Sequence, residues 1–250
     1  MGRIITILSG KGGVGKTTTT INLGAALNSL SKETIIVDLN LKTPDIGVHL
    51  GAPIVPVSLN HVLKGRAEIE ESVYEHRSGM KIIPSSLTVE DISEGQIKKI
   101  PFVIRKIRDF ADYIILDSAA GFPDEVFSAI ETGDEIIVIT NPELPSVTDA
   151  LKAIKITRNK GKDVKGVIVT RHRNDKYEMP LETIKNMLEV PIIGVIPEDN
   201  SIKKAICKKD AVIHISPKSK VAKKYKEIAH KINGTYQKEK GIRRFFSFFK

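Results

Sequence analysis

A glycine-rich loop near the start of the chain limits what the rest of it can fold into. The apolar run at residues 4–8 predicts a buried strand, and residues 18–27 predict a helix, so the loop lies where a strand ends and a helix begins. Its residues are Gly10, Lys11, Gly12, Gly13, Val14, Gly15, Lys16 and Thr17. This G-x-x-x-x-G-K-T pattern, in a strand–loop–helix context, is typical of a phosphate-binding loop.

Each residue type in this loop suits a phosphate ligand. Glycines let the backbone curl so that its N–H groups approach phosphate oxygens, and the helix N-terminus adds free N–H groups and partial positive charge. Lys16 is expected to reach the outer phosphates, and the Thr17 hydroxyl is expected to ligate Mg²⁺. We place the next residue, Thr18, among the nucleotide contacts as well.

A second lysine in the loop indicates which family of phosphate-loop proteins the chain resembles. Lys11 completes the heptapeptide Lys-Gly-Gly-Val-Gly-Lys-Thr, which resembles the deviant Walker A loop of the MinD/ParA family of P-loop ATPases. The resemblance covers about residues 3–233. It implies ATP or ADP with Mg²⁺ as ligands, and an ATP-bound homodimer in which Lys11 contacts the phosphates held by the partner subunit.

The composition describes one globular domain with a strongly basic end. The 250 residues suffice for a single domain, and the only cysteine, Cys207, excludes an intrachain disulfide. One cysteine and no secretory signal predict the cytoplasm, and no apolar run approaches the about 20 residues of a spanning helix. Residues 201–250 contain 15 Lys or Arg against 3 Asp or Glu, within a net charge of +9. This basic end predicts an anionic partner, either lipid or nucleic acid.

The alternation of strand-like and helix-like segments predicts an α/β fold. We expect a mostly parallel sheet with helices on both faces, as in P-loop NTPases. The apolar runs at residues 34–37 and 113–116 each lead into an acid, Asp38 and Asp117. Because ligands bind at the carboxyl ends of parallel strands, both acids are expected near the loop. We also expect a strand at residues 80–84 and an amphipathic helix over residues 98–110, interrupted near its start by Pro101.

In the family that the chain resembles, acids at these positions serve the metal and the hydrolysis. Asp38 and Asp117 would each hold Mg²⁺ through water, and Gly121 would approach the γ-phosphate through its N–H. The family often has a second acid two residues after the first, where it polarises the attacking water, but this chain has Asn40. Asparagine can orient a water and cannot accept its proton, so the rate of hydrolysis is in question and nucleotide binding is not. The expected catalytic residues are Lys11, Lys16, Asp38, Asn40 and Asp117.

The resemblance places the adenine beside three further segments. Asn141 would hydrogen-bond the adenine edge, and Arg171 would line or stack on the base. Asp149 matches the family acid that pairs with the signature lysine, although a solvated helix residue is an equally good interpretation. The last segment resembles the adenine-side loop of the family and consists of Pro197, Glu198 and Asp199.

The last ten residues show an amphipathic pattern. Residues 234–240 are polar and predict a linker between an ATPase domain at residues 1–233 and a helix at residues 241–250. Apolar side chains spaced for one helix face stand beside cations, which predicts an anchor on an anionic membrane surface; a helix docked on the core is the alternative. The residues concerned are Ile242, Arg243, Arg244, Phe245, Phe246, Phe248 and Phe249.

Together these features predict an ATPase that is peripheral on the inner face of the cell membrane. It would dimerise with ATP, act with an unidentified protein partner, and help to position the division site or another cellular structure. Two alternatives remain open. The lysine-rich helices after residue 200 would suit a partition ATPase that binds DNA nonspecifically. With Asn40 in place of an acid, the chain could also be a nucleotide-dependent scaffold that barely hydrolyses ATP.

Overall fold

In the computed structural model, which describes residues 1–88 and 92–236, eight strands form one sheet. The strands are β1 (Arg3–Leu8), β2 (Thr34–Leu39), β3 (Tyr74–Glu75), β4 (Lys81–Ile83), β5 (Tyr113–Ser118), β6 (Glu135–Thr140), β7 (Val164–His172) and β8 (Ile192–Pro197). Their order across the sheet is β3-β4-β2-β5-β1-β6-β7-β8. Every neighbouring pair is parallel except β3 and β4, which confirms the predicted fold class.

Helices follow most of the strands. They are α1 (Lys16–Asn28), α2 (Ile46–Leu50), α3 (Leu59–Leu63), α4 (Glu94–Ile97), α5 (Ile100–Lys106), α6 (Asp124–Thr132), α7 (Leu144–Asn159), α8 (Leu181–Leu188), α9 (Asn200–Cys207), α10 (Val212–Ile215) and α11 (Lys220–Ile232). Two short 3₁₀ turns lie at Ile69–Ser72 and Arg108–Phe110.

Both faces of the sheet are covered, because successive side chains of a strand point to opposite faces. In β1, Ile5 and Ile7 pack into a core formed with α1, α10 and α11. Ile4 faces the other side and joins a core with α3 and α5, while Leu8 joins a third core with α6, α7 and α8. The strands therefore read as continuous apolar runs, as strands buried on two faces do.

The sheet brings the two predicted acidic strand ends together. β2 and β5 are neighbours, and Asp38 pairs in register with Asp117. β1 lies on the other side of β5 and leads into the glycine-rich loop, so the loop and both acids share the carboxyl edge.

The prediction of one interrupted helix over residues 98–110 was wrong in its boundaries. The chain forms α4, then α5, then the 3₁₀ turn at Arg108–Phe110. Pro101 lies in the first turn of α5, where its missing N–H costs no helical hydrogen bond, so it starts a helix there. The strand expected at residues 80–84 is present as β4, and its short antiparallel neighbour β3 was not anticipated.

Candidate nucleotide site

The glycine-rich loop connects β1 to α1, and its backbone uses conformations that favour glycine. Gly13 and Gly15 have φ angles of 76° and 89°, in the left-handed region. At Gly10 an added Cβ would lie 2.3 Å from the backbone oxygen of Asp149, so the close approach of α7 leaves no room for a side chain. The loop lines a cavity of about 390 Å³, within the size range of small-molecule sites. Its wall on the loop side is formed by Gly12, Gly13, Gly15, Lys16, Thr17 and Thr18.

The loop lysine and the aspartate at the end of β5 form a buried ion pair. Lys16 is 8% exposed and Asp117 is fully buried, and the lysine Nζ lies 2.9 Å from Asp117 Oδ1. The same oxygen lies 3.2 Å from the hydroxyl of Thr20. The other carboxylate oxygen, Oδ2, is buried with no hydrogen-bond partner among the described residues. Buried carboxylate oxygens are rarely left unsatisfied, so this one fits a metal ion or a metal-bound water.

Asp38 is held by the loop that follows β2. Its Oδ1 accepts the backbone N–H of Asn40, and its Oδ2 accepts those of Asp45 and Ile46, each at 3.0 Å. Burial and the charge of nearby Asp117 nevertheless raise the pKa of Asp38 to about 7. Two carboxylates this close favour a cation between them. Thr17 adds a hydroxyl in the wall of the cavity, and an all-oxygen set of this kind suits Mg²⁺.

Two residues expected to assist hydrolysis are engaged in local hydrogen bonds. The Asn40 amide N–H donates to the carbonyl of Thr43, and its amide oxygen accepts the Thr43 hydroxyl at 3.0 Å. Asn40 and Thr43 both line the phosphate cavity. The N–H of Gly121, which has φ of 76°, donates to the carbonyl of Ser9 at 3.2 Å.

A second cavity of about 360 Å³ adjoins the first. The two cavities share wall residues from the loop, α1, β7 and α9, namely Gly15, Thr18, Arg171 and Ile206. Arg171 has φ of 54°, and a strained backbone of this kind in a non-glycine residue often marks a functional position. A volume joined to a phosphate-loop cavity is where the base of a nucleotide would lie.

The residues predicted for the adenine side are distributed around this second cavity. Glu198 and Asp199 line it, and Pro197 ends β8 just before them. Asp199 caps α9 by accepting the N–H of Ser201 at 2.7 Å, and this hydrogen bond lowers the pKa of Asp199. Asn141 is buried, and its amide oxygen lies 2.9 Å from the hydroxyl oxygen of Thr170, which is itself a wall residue.

The signature lysine and its proposed acidic partner lie outside the described walls of the two cavities. Lys11 is exposed and is not among the described residues of the cavity wall. Asp149 packs against Gly10 next to it, and its carboxylate accepts Lys152 Nζ at 3.1 Å.

Among the side chains that the structure adds to the site and that sequence reasoning missed, three make notable contacts. Thr20 reaches Asp117, Thr170 bonds the carbonyl of Val14 in the loop, and Tyr225 lines the second cavity. Only Thr20 had a usable signal, because a residue four positions after Lys16 lies on the same helix face. The others come from β7 and α11, whose position beside the loop depends on the tertiary fold.

The predicted membrane helix lies outside the described residues, as does most of the linker before it. Within residues 1–88 and 92–236, no helix is long and apolar enough to cross a membrane. The lysine-rich segment from α9 to α11 is described, and its exposed lysines lie on both helices and between them. These include Lys203, Lys204, Lys208, Lys209, Lys218, Lys220 and Lys223.

The parallel sheet, the strand–loop–helix turn and the paired aspartates define a P-loop nucleotide-binding protein. Residues 5–212 match the family model described as the CobQ/CobB/MinD/ParA nucleotide binding domain. The chain belongs to this family.

Comparison with known proteins supports the same assignment. The chain is 38% identical to an uncharacterised ATP-binding protein of Methanocaldococcus jannaschii, over 92% of this chain and 87% of that protein. It is 34% identical to the septum site-determining protein MinD of Thermotoga maritima, over 94% of this chain and 89% of that one. The solved structure of MinD from Pyrococcus horikoshii, complexed with Mg-ADP, superposes with a TM-score of 0.87 at 32% identity, covering 93% of this chain and 96% of that one.

Proposed function

We propose that this chain binds and hydrolyses ATP with Mg²⁺, dimerises when ATP is bound, and acts at a membrane surface to position the division site or another cellular structure. One observation carries the nucleotide part of this proposal. Beside Lys16 of the phosphate loop, the buried Asp117 has one oxygen bonded to that lysine and the other without a partner among the described residues.

The residues around that oxygen fit a metal–nucleotide complex. Lys16 and the loop N–H groups would hold the phosphates, while Thr17, Asp38 and Asp117 would hold Mg²⁺ directly or through water. Bound Mg²⁺ supplies neutralisation of the charge that spreads over the phosphate oxygens during transfer. The volume beside Arg171 and Asp199 would take the base. The resemblance to MinD of Pyrococcus horikoshii, which binds Mg-ADP, favours an adenine nucleotide.

The position of Lys11 supports dimerisation. This lysine is an exposed residue of the loop and precedes Gly12, which lines the phosphate cavity. A cation placed there has access to phosphates held by a second copy, which is the role that the family resemblance implies. ATP between two copies would then make dimerisation depend on the nucleotide.

The membrane part of the proposal rests on the sequence of residues 241–250 and on the likeness to MinD proteins. The segment combines four phenylalanines and one isoleucine with three cations. Amphipathic segments of this composition bind anionic lipid surfaces through apolar burial together with electrostatic attraction.

A specific observation favours each of the two other functions. The exposed lysines of α9 and α11 would suit DNA, whose phosphates attract such a face. Asn40 is bonded at both ends of its amide within its own loop, which would favour a scaffold with little turnover.

Co-sedimentation separates these functions. The full chain is spun with anionic vesicles or with duplex DNA, each with ATP and with ADP, and ATP turnover is measured in parallel. We expect pelleting with vesicles and ATP, together with slow but measurable turnover. A double variant on α11, Lys220→Glu with Lys223→Glu, is the control, because it should leave vesicle binding largely intact. ATP-dependent pelleting with DNA that this variant abolishes would establish the partition function instead.

A further inference from the structure

The hydroxyl of Thr20 lies between the loop lysine and the buried aspartate, and the phosphate-loop motif does not include it. Thr20 is fully buried in α1, one helical turn after Lys16. Its Oγ1 lies 3.2 Å from the backbone oxygen of Lys16 and 3.2 Å from Oδ1 of Asp117. A hydroxyl has a single hydrogen, so it can donate fully to only one of these two acceptors at a time.

Asp117 Oδ1 already has a stronger donor in this arrangement. The ammonium group of Lys16 lies 2.9 Å away and supplies a full positive charge. The Thr20 hydroxyl can therefore donate to the carbonyl of Lys16, as threonines inside helices often do. Because Asp117 is fully buried, leaving its Oδ1 without a donor would be costly.

Phosphate binding changes the demands on Lys16. In a phosphate loop the lysine reaches the outer phosphates, which compete with Asp117 for the same ammonium group. When Lys16 turns to the phosphates, Thr20 is the remaining side-chain donor to Oδ1 among the described residues. We propose that Thr20 is a positioning residue. Once Lys16 binds the phosphates, the Thr20 hydroxyl donates its hydrogen bond to Oδ1 of Asp117 and so keeps Oδ2 oriented for Mg²⁺. This inference rests on the proposed function of the site.

The proposal makes the hydroxyl important only when the metal–nucleotide complex is bound. Without nucleotide, Lys16 neutralises Asp117 whether or not residue 20 has a hydroxyl. With Mg·ADP, its loss removes a hydrogen bond to a charged group, which corresponds to roughly 10- to 100-fold in affinity. With ADP and EDTA the hydroxyl should matter little, because Asp117 acts on the nucleotide through the metal.

The chain offers matched variants for this test. Thr20→Val keeps the branched shape and removes the hydroxyl, Thr20→Ala removes it without adding a methyl group, and Thr20→Ser keeps it. Thr157→Val is the control, because Thr157 is also fully buried in a helix and its hydroxyl donates to the carbonyl of Ala153, at 2.8 Å. It lies near the end of α7, away from the loop.

The experiment measures equilibrium binding of fluorescent ADP to the full chain, with Mg²⁺ and with EDTA, and the melting temperature without nucleotide. We expect Thr20→Val and Thr20→Ala to bind Mg·ADP roughly 10- to 100-fold more weakly than wild type. Thr20→Ser and Thr157→Val should bind like wild type, and melting without nucleotide should change little in Thr20→Val.

Four outcomes would overturn the proposal. Wild-type affinity in both Thr20→Val and Thr20→Ala would show that the hydroxyl is not needed. Equal weakening in Thr20→Ser would show that packing is responsible, and equal weakening in EDTA would show that Thr20 does not act through the metal site. Failure of the wild-type chain to bind Mg·ADP would overturn the proposed function as well, whereas tight wild-type binding with unaffected variants would overturn this inference alone.

Discussion

Lys16 Nζ lies 2.9 Å from Asp117 Oδ1, so the lysine of the phosphate loop neutralises the aspartate that is expected to serve the metal. Both side chains are buried, at 8% and 0% exposure. Replacing either residue should therefore lower the stability of the fold as well as affect the site, because it leaves a buried charge without compensation.

Lys16→Met should abolish ATP binding and also destabilise the fold. The phosphates lose their cation, and Asp117 loses its charged partner within the protein interior. Breaking a buried pair on one side typically costs about 3–5 kcal/mol of unfolding free energy. Urea denaturation and fluorescent-nucleotide binding, measured on the same preparation, check both parts.

A double variant distinguishes the two roles of this lysine. Lys16→Met combined with Asp117→Asn removes both charges and should recover most of the lost stability without recovering ATP binding. If the single variant were as stable as wild type, the buried pair would not be a significant contributor to the fold.

The stability of the protein without nucleotide should fall as pH rises through the weakly acidic range. The pKa of Asp38 is raised from 3.8 to about 7 by burial and by the charge of Asp117. Between these two values the folded state binds more protons than the unfolded state, so raising the pH favours unfolding. Asp38 lowers the free energy of unfolding by up to about 1.4 kcal/mol per pH unit, and this loss levels off once the pH exceeds the pKa of Asp38 in the folded protein.

The test is urea denaturation of wild type and of Asp38→Asn, each in EDTA at about pH 5 and about pH 8. The contribution of Asp38 is the difference between the two proteins in how their free energy of unfolding changes with pH. Asp38→Asn should show the shallower loss of stability with rising pH. Equal pH dependences would mean that Asp38 is ionised throughout this range in the folded protein.

The sequence was sufficient to locate the centre of the fold and of the site. The apolar runs that end in Asp38 and Asp117 predicted that both acids lie near the loop, and the structure also pairs these two residues in register. This succeeded because strands buried on both faces are almost uniformly apolar, so their polar ends are conspicuous. The strand-to-helix position of the loop was likewise a local property of the sequence.

Features that depend on partners distant in sequence could not be predicted in this way. The contact between Lys16 and Asp117 spans 101 residues, and the Thr170 hydroxyl reaches the loop from a strand 156 residues beyond it. The helix start at Pro101 was misplaced because a proline inside an apolar pattern can either interrupt a helix or open one.

Lys11→Ala should leave ATP binding intact and prevent the ATP-dependent dimer. Lys11 is exposed and precedes Gly12, which lines the phosphate cavity, so its charge is available to a second subunit. Light scattering with a non-hydrolysable ATP analogue measures the mass of the complex. Lys99→Ala, which removes another exposed lysine, beside α5, is the matched control. An undiminished dimer in Lys11→Ala would remove the basis for a contact across the interface.

Basal ATP turnover should be slow, and Asn40→Asp should increase it. An amide cannot accept a proton from the attacking water, whereas general-base assistance is worth about 10²–10⁴-fold where it operates. The gain should be larger when Asn40→Asp is combined with Thr43→Val, because Thr43 donates its hydroxyl to the side chain of Asn40 at 3.0 Å. Steady-state phosphate release measures both variants. No increase in either variant would mean that another residue or a partner protein positions the water.

Residues 241–250 should act as a reversible membrane contact under the control of ATP. The segment has one isoleucine and four phenylalanines, and full burial would add roughly 1.5–3 kcal/mol of membrane-binding free energy for each side chain. A helix on the membrane surface buries them only in part. Nearby cations add about 1 kcal/mol each, and a ten-residue helix is marginal in water, so a single segment should bind weakly. Two segments on one dimer act together, and such avidity can exceed single-site affinity by about 10²–10⁴.

Co-sedimentation with anionic vesicles tests this control, using the intact chain, a chain ending at Lys240, and Phe245→Glu. The intact chain should pellet with ATP, less with ADP and less at high salt, because screening weakens attraction to the charged surface. The shortened chain and Phe245→Glu should stay in the supernatant under all conditions. Ser247→Ala changes the same segment without altering its charge or its phenylalanines, so it should pellet like the intact chain. Equal pelleting with ATP and ADP would rule out nucleotide control, and pelleting of the shortened chain would place the membrane contact elsewhere in the protein.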